Sequence, residues 1–166
     1  QGLGKGIPTG ASALIPPTIE VTETGQELVL DGIRMEFQLT PESEAPAEMH
    51  FYFPDHTALC MAETCTATMP TVLTLRGALV RDALLWSLYI DAALDRWGDE
   101  AEFVFASHGW PHWGGDDGRE YLVNQRDLYR WLHDQAMRLT NLGFTPNESA
   151  ARIDLPPGLW ADWRCH

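Results

Sequence analysis

Apolar and polar positions along the chain change their period twice, and each change predicts a change of secondary structure. Residues 18–23 (Thr-Ile-Glu-Val-Thr-Glu) alternate with a period of two and are rich in β-branched side chains, the signature of a strand. Thr24-Gly25 turns the chain, Glu27-Leu28-Val29-Leu30 starts a second strand, and Asp31-Gly32 is a two-residue hairpin signal before the alternating run 33–39. An antiparallel meander is predicted. Residues 40–48 then form a loop punctuated by Pro41 and Pro46 that carries Glu42, Glu44 and Glu48. A further hairpin is predicted from residues 50–53 and 57–61 around Pro54-Asp55, and its second strand delivers Glu63. Glu63 lies between apolar Met61-Ala62 and polar Thr64-Cys65-Thr66, a setting in which a carboxylate is paired or binds metal.

Over residues 72–97 the period becomes helical. Leu75, Leu79, Leu84, Trp86, Ile90 and Leu94, among others, crowd so much of the circumference that the pattern predicts a largely buried helix. Arg76 and Arg81 stand out on it. A buried guanidinium needs an anion, either a carboxylate such as Asp82 or Asp91 or a bound oxyanion matched to its planar fork. The run Phe103-Val104-Phe105-Ala106 reads as a buried strand that breaks off at Ser107-His108, before a loop rich in Gly and Trp that extends to Gly118. His108 is thereby placed at a strand end, where ligands bind in open α/β sheets, although a hydrogen-bonded structural histidine fits the same pattern. A second long helix is predicted over residues 119–142, capped by Gly143, and a short one over 148–153. Asn147-Glu148-Ser149 fits a glycosylation sequon but more simply caps that short helix, and Leu155-Pro156-Pro157-Gly158 breaks the pattern.

Composition narrows the function without naming it. The 166 residues suit one domain able to bury about 70% of its unfolded surface. Eleven Lys and Arg against 24 Asp and Glu give a formal charge of -13, a field that repels phosphate backbones and anionic membranes. Nucleic acid is therefore not an expected partner, and an anionic ligand requires a local Arg or a metal to reverse the sign. Cys60, Cys65 and Cys165 make neither a disulfide framework nor a Cys-x-x-Cys metal spacing. No apolar run reaches the roughly 18 residues of a membrane span, and the first residues lack a signal pattern. Gly2, Gly4, Gly6 and Gly10 make a turn-rich entry that matches neither the Walker nor the dinucleotide fingerprint. The start at Gln1 and the finish at Cys165-His166 lead us to expect a chain truncated at both ends.

Several strings taken together are more specific than any one alone: residues 37–49 (Phe-Gln-Leu-Thr-Pro-Glu-Ser-Glu-Ala-Pro-Ala-Glu-Met), Met61-Ala62-Glu63, Thr74-Leu75-Arg76-Gly77-Ala78 with Val80-Arg81-Asp82, residues 106–111 (Ala-Ser-His-Gly-Trp-Pro), and Gln125-Arg126-Asp127-Leu128-Tyr129 through Thr145-Pro146-Asn147-Glu148. They resemble the alkyl sulfatase family of zinc hydrolases over nearly the whole chain. The resemblance implies an α/β fold, the second half of a metallo-β-lactamase αββα sandwich, with a mixed or antiparallel sheet and flanking helices, so that residues 1–166 form part of a catalytic domain.

By the same resemblance Glu44 would be a ligand to one zinc ion, His108 a ligand to the other, Glu63 a carboxylate bridging both, and Arg76 the sulfate-binding catalytic residue. Carboxylate oxygen and imidazole nitrogen suit zinc, which lowers the pKa of a bound water to about 7. Trp110 and Trp113 would take the alkyl chain of a long-chain alkyl sulfate or, more plainly, pack. The family's His-x-His-x-Asp-His ligand set occurs nowhere in the 166 residues, and the resemblance implies that it lies upstream. The fragment alone is then expected to be inactive. A periplasmic or secreted location and a homodimer of the longer chain are implied in the same way. The competing readings are another binuclear hydrolase of the same fold, acting on a lactone or phosphodiester, and a non-catalytic module binding through its Trp110-Pro111-His112-Trp113 loop.

Overall fold

The computed structural model describes residues 10–11, 13–69, 72–73 and 79–166. Six strands form one sheet in sequence order: β1 (Glu27–Leu30), β2 (Ile33–Leu39), β3 (Met49–Phe53), β4 (Ala58–Cys60), β5 (Phe103–Phe105) and β6 (His112–Trp113). All neighbours pair antiparallel except β4 and β5, which run parallel because α1 (Ala83–Trp97) crosses over between them. α2 (Gly115–Asn141) lies against α1, and α3 (Pro146–Ala150) and α4 (Pro157–Ala161) follow it. The expected α/β architecture, a mixed sheet with flanking helices, is the one that forms.

The hairpin between β1 and β2 closes where Asp31 and Gly32 both take positive φ, 50° and 83°, as a two-residue turn of this kind requires. One face of the sheet carries Gln38, His50, Tyr52, Leu59 and Val104 toward the helices. Tyr52 stacks on Trp97 of α1 at 5.6 Å, and the Gln38 amide donates to the Tyr89 carbonyl at 2.9 Å. Trp86 meets Tyr129 of α2 edge to face at 4.5 Å, joining the two helices in a core with Ile90, Leu94 and Tyr121. α2 approaches β5 so closely that a Cβ on Gly118 would lie 2.9 Å from a Val104 methyl. The other face carries an aromatic row in which Phe37, Phe51 and Phe53 succeed one another, as do Phe105, Phe103 and Trp113.

Five expectations are corrected. Residues 18–23 form no strand, because the Gln26 side chain accepts from the Thr22 N–H at 2.9 Å and donates to the Glu20 carbonyl at 3.0 Å, occupying backbone groups a ladder would use. The first long helix begins at Ala83, not near residue 72, because the Asp82 carboxylate accepts from the N–H groups of Leu84 and Leu85 at 2.9 and 3.1 Å. Leu79 and Val80 precede that cap and are exposed. His112-Trp113 belongs to β6, paired with β5, so the loop after His108 is shorter than expected. The short helix spans Pro146–Ala150 and is capped by Thr145, whose hydroxyl accepts from Glu148 N–H while the Glu148 carboxylate accepts from Thr145 N–H. The Pro157-Gly158 break is itself the first turn of α4, with proline where its missing N–H costs nothing.

Candidate metal centre

The parallel pairing of β4 with β5 brings the ends of both strands to the same edge of the sheet. Past the strands the ladder continues: Met61 N–H donates to the Phe105 carbonyl at 2.8 Å, and Ser107 N–H donates to the Ala62 carbonyl at 2.7 Å. Glu63 and His108 follow directly, and Glu63 Oε1 lies 3.2 Å from His108 Nε2. Residues far apart in sequence thus meet because two strands end together.

The loop between β2 and β3 reaches the same edge. Glu48 Oε1 accepts from Glu63 N–H at 3.3 Å. Burial, opposed by that hydrogen bond and reinforced by the charges of Glu63 and Glu44, raises the Glu48 pKa above the ordinary carboxylate value. The positive counterpart is Arg81, whose guanidinium pairs with Glu44 and is almost wholly buried. Arg81 stands just before the N-terminus of α1, so the helix opens on this edge with its Arg turned to the carboxylate loop. Of the two partners the sequence proposes for a buried Arg here, Asp82 caps the helix and Asp91 pairs with Arg126 at 2.8 Å.

Beneath Glu63 lies a buried polar pair that sequence reasoning missed. His50 Nε2 is 2.6 Å from the Thr64 hydroxyl, which in turn donates to the Met61 carbonyl at 2.8 Å. Both side chains are fully buried, and burial pulls the His50 pKa from 6.5 down to about 3, so the ring is neutral. The signal was present in the alternation, since His50 shares the inward face of β3 with Tyr52. Close packing also extends to the other loop: Gly109 has φ +87°, and a Cβ there would lie 3.1 Å from the Thr66 carbonyl oxygen.

Of the site residues expected from the sequence, Glu63 and His108 touch, and Glu44 lies at the same edge on Arg81. Trp110 stands two residues beyond His108 and is exposed, as is Trp113. Arg76 lies outside the described residues. Among the described residues no group of three or more His, Cys, Asp or Glu side chains is gathered closely enough to hold a metal by itself. The donors nevertheless suit a shared site: one carboxylate oxygen and one imidazole nitrogen face each other, and Glu48 and Glu44 crowd like charges that a cation would relieve.

A mixed sheet with acidic and imidazole groups at its strand ends falls in a broad class of α/β proteins. No family model matches the chain. More particularly, it is 46% identical over 155 residues to a linear primary-alkylsulfatase from Pseudomonas sp., covering 93% of this chain and 23% of that protein. An alkyl/aryl-sulfatase from Saccharomyces cerevisiae is 41% identical over 162 residues, covering 98% and 25%. The solved sec-alkylsulfatase Pisa1 from Pseudomonas sp. superposes with a TM-score of 0.87 at 41% identity, over 91% of this chain and 24% of that one. The chain is therefore homologous to the alkylsulfatases over nearly all of its residues, and it spans about a quarter of the length of the relatives it matches.

Proposed function

We propose that this chain is a segment of a zinc-dependent alkylsulfatase that hydrolyses long-chain alkyl sulfate esters to alcohol and inorganic sulfate. The contact between Glu63 and His108 at the ends of β4 and β5 carries the reading, in a segment homologous to alkylsulfatases. Glu63, His108 and Glu44 would hold two zinc ions together with ligands from the rest of the protein. When bound, zinc supplies Lewis acidity and makes a water ionisable near neutral pH, at a pKa of about 7.

The residues of this chain do the remaining work. Glu63 and His108 fix the side of the site that faces the strand ends, where backbone hydrogen bonds on both loops limit their movement. Arg76 binds the sulfate oxygens, for which its fork of donors is matched, and offsets the repulsion that a protein of charge -13 exerts on an anionic ester. Arg81 pairs with Glu44 and orients its carboxylate. A neutral lactone would leave Arg76 without a purpose, which favours a sulfate ester over that alternative.

The test uses the full-length protein. Glu63→Gln is expected to lower bound zinc, measured by plasma emission, and to reduce kcat/KM for dodecyl sulfate, followed by sulfate release, by about 100-fold or more. Arg76→Ala is expected to lower kcat/KM by about 100-fold with zinc content unchanged. Parent-like kinetics in both variants would remove these residues from the site, and a parent protein without zinc would end the reading.

A further inference from the structure

The turn that carries Glu63 is held from below by side chains that no role in metal binding requires. Ala62 has φ +48°, a left-handed conformation that an alanine adopts at a cost and keeps only when its surroundings determine it. One side of the turn is fixed to β5 through Met61 N–H and the Ala62 carbonyl. The other side is fixed to β3 and the residue just before it. The Met61 carbonyl accepts from both the N–H and the hydroxyl of Thr64, at 3.0 and 2.8 Å. The hydroxyl has one proton, and it is spent there, so toward His50 Thr64 accepts: His50 Nε2 carries the hydrogen and donates across 2.6 Å. His50 Nδ1 is buried and finds no hydrogen-bond partner among the described residues, which fits a neutral ring whose hydrogen is on Nε2, since it leaves no N–H unpaired. On the same side of the chain, two residues before His50, Glu48 accepts from the Glu63 N–H.

We propose that His50 and Thr64, together with Glu48, are positioning residues that set the direction of the Glu63 carboxylate toward His108 and so tune how tightly the site holds zinc. This rests on the reading of Glu63 as a zinc ligand. Each of the three acts through the backbone of the turn: Thr64 and His50 on Met61, and Glu48 on Glu63 itself. Outer hydrogen bonds to ligand groups commonly govern affinity as strongly as this, with losses of about 10- to 100-fold on mutation. A residue serving the core alone would leave affinity unaltered.

The experiment compares Thr64→Val with Thr64→Ser in the full-length protein, and Glu48→Leu with Glu48→Gln, with Glu63→Gln as reference. Zinc affinity is measured by competition with a chromophoric chelator, kcat and KM with dodecyl sulfate, and folding by thermal unfolding. Thr64→Val, similar in volume but without the hydroxyl, is expected to weaken zinc binding by about 10- to 100-fold and to lower kcat more than it raises KM. Thr64→Ser, which keeps the hydroxyl, is expected to restore most of the affinity. On the second arm, Glu48→Gln retains an oxygen for the Glu63 N–H and should exceed Glu48→Leu in affinity, which keeps the test decisive if Thr64→Val does not fold. A fall in unfolding temperature with zinc affinity unchanged in folded variants would show a merely structural role and overturn the proposal. Zinc loss in Glu63→Gln alongside unchanged affinity in the Thr64 and Glu48 variants would overturn this inference alone, whereas a zinc-free parent would overturn the functional reading on which it rests.

Discussion

At the scale of single residues, His50 lies behind the candidate site, buried against Thr64, and its burial leaves a thermodynamic trace. Its pKa is about 3 in the fold against the ordinary 6.5, so the native ring resists a proton that the unfolded chain accepts. The consequence for stability has one sign. Above pH 6.5 the group contributes nothing to pH dependence, and as pH falls from 6.5 toward 3 the unfolded state gains a proton and stability drops. Denaturant unfolding between pH 6 and 4 should therefore show a decline steeper in the parent than in His50→Gln, by about 1.4 kcal/mol per pH unit. Equal slopes would mean that His50 takes up its proton in the fold. A second residue-level arrangement ties the C-terminus to the sheet: His112 Nδ1 contacts Asp117 at 2.9 Å, Asp117 pairs with Arg164 at 3.2 Å, and Arg164 pairs with Asp162 at 2.8 Å. Burial works against the Asp162 carboxylate, but hydrogen bonds from Arg164 and Asn124 hold its pKa below the ordinary value.

Among the elements, α1 has the sharpest boundary. Two backbone donors of its first turn bond to one Asp82 oxygen, so Asp82→Ala should cost about 1 kcal/mol in thermal or denaturant unfolding, with Asp82→Asn costing less. A neutral outcome for Asp82→Ala would show that packing of Trp86 and Ile90 alone sets the start. Where an element buries a continuous face, its presence was readable from the sequence: the period of two in β2, the hairpin around Pro54-Asp55, the crowded circumference of α1 and the long second helix all survive in the fold. Ends were harder to read, because a single side chain decides them. Asp82 was weighed as an ion-pair partner and turned out to be a cap, and Gln26 removed a strand from a stretch whose alternation was good. At the site, Glu63 and His108 could be found from the positions of strand ends, since each follows an apolar run. The pairing of Glu44 with Arg81 could not, because it joins a loop to a helix entrance across the edge of the sheet, and neither local period contains the other.

Taken as a whole, the molecule is unevenly finished. One sheet face packs under α1 and α2, whereas on the other Phe51, Phe53, Phe103 and Phe105 are only half-buried and Trp113 is exposed. In the αββα sandwich that the sequence resemblance implies, such a face meets a second sheet about 10 Å away. The 166-residue chain on its own should accordingly bind a hydrophobic dye such as anilinonaphthalene sulfonate. Phe105→Ser should lower the fluorescence while far-UV circular dichroism stays unchanged, and a chain that leaves the dye dark would mean this row is closed by its own residues.

The parallel junction of β4 and β5 also bears on the order of events during folding. Every other neighbouring pair of strands is joined by a short turn or loop and can zip up locally, but β4 finds β5 only after the whole of α1 has been laid down between them. The carboxylate and the imidazole that end these strands therefore come within reach of each other late, after the most costly loop closure in the sheet. In the zinc site proposed above, an ion arriving early would encounter isolated donors and one arriving late a seat already shaped, so capture of the metal would fall at the final stage of maturation.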